Sequence, residues 1–205
     1  SRLLPLLLMS PHPRVVIIAS EVHDPATPGG RVGLPAGLGK LDGLRRGPGA
    51  AMLDGVSPFN AEKAYKDSKL CNLLFARELQ RRLAQQGHQL PVVAWSPGLV
   101  IAREAGGFFR YSRQHNPLGQ ALFALLARDL LRLSETPQRA GALLAALAVG
   151  DPDLPAGFHY WSNRVVGPGR HRFGPASPSH EAQDLSLASD LWNFCALHAD
   201  CAWQT

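Results

Sequence analysis

The sequence predicts an α/β fold built on a parallel sheet, and three observations carry that prediction. Arg14 to Ser20 contains the uninterrupted run Val15-Val16-Ile17-Ile18, the composition of a strand buried on both faces of a parallel sheet. Residues 61–86 then place Leu70, Leu73, Leu74, Leu79 and Leu83 at helical spacing, with Glu78, Arg81, Arg82 and Gln85 turned away as the polar set. Val92-Val93-Ala94-Trp95 follows as a second short apolar strand. A strand, a helix long enough to cross over and a second strand make a right-handed βαβ unit, whose two strands run parallel.

Taken in order, the opening run Leu3 to Met9 is too short to span a bilayer, and Pro5 interrupts it. It reads as the end of a buried helix. After the first strand, residues 23–59 form a Gly/Pro-rich insertion in which Pro25, Pro28, Gly29-Gly30, Gly33 and Pro35 break any period. So long an irregular stretch in one domain predicts a lid or binding loop. Gly87 ends the long helix, and Ser96-Pro97-Gly98 stops the second strand. Residues 117–149 read as leucine-rich helix broken near Ser134 to Pro137, where Ser134 or Thr136 could cap a second helix. Gly157 to Trp161 reads as a late strand followed by a Gly/Pro/Arg loop to Pro178, and Glu181 to Ala199 as the closing helix.

Composition narrows the function classes. A chain of 205 residues is one domain, 1–205, and can bury roughly 70% of its unfolded surface without disulfide or metal. With 20 Gly and 17 Pro it stays below the range that signals disorder. The net charge of +5 is scattered, with Arg45-Arg46, Arg81-Arg82 and Arg164 to Arg172 as its concentrations; no basic stripe forms, so a nucleic-acid partner is not expected. Cys71, Cys195 and Cys201 lack ligand spacing, which predicts reduced thiols and no metal site.

The chemistry concentrates in Tyr65-Lys66-Asp67-Ser68-Lys69 at the start of the long helix. Tyr65 and Lys69 are four apart and share a helical face, so the ammonium is expected to favour the phenolate and lower the tyrosine pKa. Ser20, at the C-terminal end of the first strand, stands where open parallel sheets bind ligands and could orient a substrate oxygen.

A buried strand ending in Ser20, a long loop, Tyr-x-x-x-Lys opening a helix and a strand ending in Pro97-Gly98 resemble the catalytic half of the short-chain dehydrogenase/reductase superfamily. Within it, Ala64-Tyr65-Lys66-Asp67-Ser68-Lys69-Leu70-Cys71-Asn72 is similar to the motif of the light-dependent protochlorophyllide reductases. The insertion around Pro28-Gly29-Gly30 and Leu38-Gly39-Lys40-Leu41-Asp42-Gly43-Leu44, and Gly157-Phe158-His159-Tyr160-Trp161-Ser162-Asn163, look like theirs too. The resemblance implies a Rossmann-like doubly wound parallel sheet, incomplete at the N-terminus. It also implies NADPH as cofactor, a tetrapyrrole or other lipophilic substrate, and residence in a bacterial cytoplasm or a plastid, with association with a membrane surface or further copies. By it, Ser20, Tyr65 and Lys69 are the catalytic residues, orienting substrate, donating the proton and anchoring the nicotinamide ribose; Tyr65, Lys69, Pro97 and Gly98 contact the cofactor. A retinol-dehydrogenase-like carbonyl reductase and a non-catalytic pigment-binding remnant are the alternatives.

Two departures from the family pattern stand out. Ser96 and Leu99 replace the Tyr and Cys that usually flank Pro-Gly. No glycine-rich turn joins a strand to a helix ahead of Ser20, and the Gly29 to Gly43 run follows a loop, so it is not expected to cradle a pyrophosphate.

Overall fold

In the computed structural model, which describes residues 3–103, 109–150 and 153–199, helix α1 (Leu4–Leu8) precedes strand β1 (Val15–Ile18). The opening run is not the buried helix its composition suggests: no residue of α1 is buried, and Leu3, Leu6 and Met9 are exposed. Its single turn offers one face, Leu4, Leu7 and Leu8, to the core.

The 23–59 segment is more ordered than its Gly and Pro content suggests. Entered through a 3-10 turn at Glu21–His23, it carries α2 (Pro28–Arg31) and α3 (Asp42–Arg46), with further 3-10 turns at Gly39–Leu41 and Gly47–Gly49. Ala36, Leu38, Leu41 and Met52 are buried, so its middle belongs to the core. Gly43 lies so close to the chain's own return that a Cβ there would sit 2.0 Å from the Met52 carbonyl.

Helix α4 (Ala61–Gln85) opens on Asn60, whose side chain accepts from the Lys63 amide at 2.8 Å. Strand β2 (Pro91–Ser96) is buried along its whole length. There follow α5 (Arg110–His115), α6 (Pro117–Ala124), a π-helical turn over Leu125–Leu130 and α7 (Pro137–Val149). Of the two candidate caps for α7, Thr136 takes the role by accepting from the Arg139 amide, while Ser134 accepts from Ile101 instead. Strands β3 (Gly157–Gly167) and β4 (Arg170–Pro175) and helix α8 (Leu185–His198) complete the described chain.

The sheet order is β1-β2-β3-β4. The first three strands are parallel, giving the expected Rossmann-like α/β layer, and β4 turns back antiparallel on β3. The segment read as a Gly/Pro/Arg loop is therefore half of a hairpin. One face of the sheet packs against α4 and α8 through Leu70, Leu73, Leu74, Val92, Leu187 and Leu191. The other meets α7 through Val93, Trp95, Ala140 and Leu147. Glu78 departs from its expected solvent face: it is fully buried, and its carboxylate is held by Arg81 and Arg82 at 2.7 Å each.

Candidate active site

Parallel register brings the C-terminal ends of β1, β2 and β3 to one edge of the sheet, where Ile18 pairs with Trp95, Trp95 with Trp161 and Ser96 with Ser162. Beyond β1, Ser20 caps the 3-10 turn and its hydroxyl accepts weakly from the Val22 amide at 3.5 Å. The Glu21 amide donates to Ser96 Oγ at 3.0 Å, tying the end of β1 to that of β2. Asn72 Nδ2 donates to the Ile18 carbonyl at 2.9 Å and fixes α4 against the same edge.

That docking brings Tyr65 to Ser20, and the two side chains hydrogen-bond. Lys69 Nζ stands over the Tyr65 ring, 5.4 Å from its centroid, a cation–π contact that i,i+4 spacing makes possible. Tyr65 and Lys69 are both half-buried. Burial raises the Tyr65 pKa, and the bond with Ser20 offsets this only in part, so the net shift is upward rather than the expected lowering. Burial likewise lowers the Lys69 pKa.

Pro97 and Gly98 lie at the same edge. Asn163 Nδ2 donates to the Pro97 carbonyl at 3.3 Å and to the Glu135 carboxylate at 3.2 Å. Gly98 has φ +78°, and a Cβ there would lie 2.5 Å from the Asn163 carbonyl oxygen, so the turn after β2 has room only for glycine.

His23 and Tyr160 stand behind these groups. Ser179 N–H donates to His23 Nε2 at 3.1 Å, which leaves Nδ1 to carry the proton and donate to the Ser20 carbonyl at 2.6 Å. Burial lowers the His23 pKa and keeps the ring neutral; its edge meets Tyr160 at 5.4 Å between centroids. Burial also pushes the Tyr160 phenol up to about 12. His23 thus positions the backbone of Ser20, a role its sequence distance from Ser20 would have allowed but which no motif announces. Tyr160, Asn163 and Ser96 became visible only through strand register.

The Gly29 to Gly43 run is filled from within. The Gly37 amide donates to Asp67 Oδ1 at 2.9 Å and the Leu38 amide to Glu181 Oε1 at 2.8 Å, so carboxylates of the chain itself occupy donors that a phosphate cradle would use. An apolar cavity of about 640 Å³ lies between this insertion, the Ser68–Cys71 face of α4 and the end of α8, lined by Leu44, Met52, Phe59 and Phe194. Among the described residues no group of His, Cys, Asp and Glu could hold a metal ion.

No family model matches the chain. Protochlorophyllide reductase A from Oryza sativa subsp. japonica is 34% identical over 188 residues, covering 89% of this chain and 45% of that protein. Protochlorophyllide reductases from Avena sativa and Chlamydomonas reinhardtii are each 33% identical, over 190 and 187 residues, with 56% and 44% of their own lengths covered. The chain is a relative of the protochlorophyllide reductases. It spans about half the length of the curated reductases it matches. The fold agrees: a solved structure of an uncharacterized protein from Mycobacterium Paratuberculosis superposes with a TM-score of 0.54 at 25% identity, over 94% of this chain and 52% of that one. In this relative of the reductases, Ser20, Tyr65, Lys69, Pro97 and Gly98 share one sheet edge.

Proposed function

We propose that the chain carries the substrate-orienting and proton-donating part of an NADPH-dependent oxidoreductase that reduces a double bond of a tetrapyrrole of the protochlorophyllide type. The observation that carries this reading is the Tyr65–Ser20 hydrogen bond with the Lys69 ammonium stacked on the same phenol.

The residues present fit the nicotinamide-ribose end of such a cofactor. Among the described residues no carboxylate lies within ion-pair distance of Lys69, so its N–H donors are available to ribose hydroxyls, and Gly98 allows close approach of backbone. They do not fit the pyrophosphate: the glycine-rich amides are already taken by Asp67 and Glu181. When bound, the cofactor supplies the hydride. Tyr65, neutral at physiological pH because burial raises its pKa, donates its hydroxyl proton to the carbon of the double bond next to the one that receives the hydride. Ser20 holds the phenolic oxygen in line, and the phenolate left behind gains from that hydrogen bond and from the nearby ammonium of Lys69. The reaction would belong in a plastid or a photosynthetic bacterium.

The test is spectroscopic. Chain mixed with NADPH and protochlorophyllide should shift the pigment absorbance to the red and convert it on illumination, and Tyr65→Phe should bind pigment but lose conversion. Dark turnover of a retinoid aldehyde without photoconversion would assign a carbonyl reductase instead. Pigment binding unchanged by NADPH and light would leave a binding protein and overturn the catalytic reading.

A further inference from the structure

Residues 97–101, which carry Pro97 and Gly98, run on from β2 beside Ser134 and Glu135. The Glu135 amide donates to the Leu99 carbonyl at 2.8 Å, the Ile101 amide donates to Ser134 Oγ at 2.9 Å, and Val100 pairs with Glu135 in a parallel bridge. Asn163 closes the arrangement from β3. Its Nδ2 carries two N–H groups and meets two acceptors, the Pro97 carbonyl at 3.3 Å and Glu135 Oε2 at 3.2 Å, so one amide ties the turn after β2 to the residue ahead of α7. Glu135 is held in its turn: Oε1 accepts from the Thr136 amide at 2.8 Å, and Oε2 lies 3.3 Å from Arg139 Nε and 3.8 Å from His171 Nδ1.

Stability does not account for this pair. Asn163 is 1% exposed, and its Oδ1 is buried with no hydrogen-bond partner among the described residues, a cost that an apolar side chain of the same shape would avoid. The Glu135 carboxylate is buried while its ion-pair partner Arg139 stands mostly in solvent, so water screens the attraction that would offset the lost hydration. What the two side chains deliver is a fixed Pro97 carbonyl and a fixed left-handed turn at Gly98. Polar groups kept at a cost to stability mark functional sites.

We propose that Asn163, backed by Glu135, is a positioning residue that fixes the Pro97–Gly98 turn in the conformation that receives the nicotinamide-ribose end of the cofactor. Both side chains act through the backbone of the turn rather than by touching the cofactor. A turn that must first be ordered lowers the apparent affinity in proportion to the time it spends in the competent form. Freeing it should therefore weaken cofactor binding and leave pigment binding alone. The inference rests on the cofactor reading proposed above.

Titration of the full chain with NADPH, read by energy transfer from tryptophan to the reduced nicotinamide, tests it. Asn163→Leu should weaken NADPH binding about tenfold, with pigment affinity in the absence of NADPH within about twofold of wild type. Adding Glu135→Met should weaken it no further, because both side chains work through one turn. The double variant, with an apolar pair in place of amide and carboxylate, should melt no lower than wild type. In both variants amide hydrogen exchange should quicken over residues 97–101. A merely structural role predicts the reverse, a lower melting temperature with NADPH affinity unchanged. That result, additive losses in the double variant, or unaltered exchange over residues 97–101 would overturn the proposal. Absence of NADPH binding by the wild-type chain would overturn the cofactor reading and this inference together, whereas equal binding by wild type and variants would overturn this inference alone.

Discussion

Tyr65 keeps its proton at neutral pH because burial raises its pKa and the Ser20 hydrogen bond only partly reverses the shift. A neutral phenol is the active form for donation, so activity should hold through the neutral range and fall only above the ordinary tyrosine value of about 10. Replacing Ser20 by Ala removes the one contact that lowers this pKa. The alkaline limb of the rate profile should then move further up; a downward move would show that Ser20 is not the partner that matters. Tyr65→Phe should cost about a hundredfold or more in single-turnover conversion with pigment affinity retained. Gly98 makes a separate prediction. Gly98→Ala forces a side chain into a left-handed turn and against the Asn163 carbonyl, and should destabilise the fold by about 2 kcal/mol, read as a lower urea midpoint. Cys71 is inert for a different reason: burial pushes its thiol up to about 12, so alkylation of native protein should modify exposed Cys195 first.

The insertion between β1 and α4 shows how far an element can be read from its residues. Its Gly and Pro content announced an irregular segment, and the apolar periods announced β1, α4 and β2 to within two residues of their ends, although β1, whose composition reads as buried on both faces, stands at the end of the sheet order and leaves Ile18 exposed. What holds the insertion was not legible. Lys66, inside the motif that draws attention for its chemistry, is almost wholly buried and donates to the carbonyls of Gly30, Val32 and Leu34. Lys63 does the same for Gly37 while pairing with Asp67 at 2.8 Å. A charged residue on a helix reads as solvated unless one knows which loop folds over it, and that depends on contacts some thirty residues distant in sequence. The β4 strand was hidden for a related reason: Gly167-Pro168-Gly169 and three arginines look like a loop until β3 offers them a partner. Lys66→Met would leave the three carbonyls without their shared donor. It should cost about 3 kcal/mol and open residues 28–59 to a protease before the rest of the chain. Cleavage spread evenly over the chain would show that Lys66 does not fasten this segment.

At the scale of the whole molecule, stability rests on the packing of α4 between the sheet and α8, and Glu78 is the charged group at the centre of that packing. Burial works against its carboxylate, but Arg81 and Arg82 outweigh it and hold the pKa below the usual range. Arg82 also donates to Asn193 and lies over the Trp192 ring, 5.0 Å from its centroid, so the pair fastens α8 to α4. A depressed folded pKa stabilises the native state fully above the unfolded value, near 4.3, and that contribution is lost as pH falls through the folded value. The melting temperature should therefore decline in acid from about pH 4 downward. Glu78→Gln should lose roughly 3 kcal/mol at neutral pH, because two arginines are left facing a neutral, buried amide, and should flatten the acid decline. A variant that keeps the wild-type acid slope would place that loss in other carboxylates. The next to test is Asp54, whose carboxylate accepts from Ser57 and Val56 and faces Lys63, contacts that outweigh burial and hold its pKa well below the usual range; Asp67, whose pKa burial raises, acts in the opposite direction.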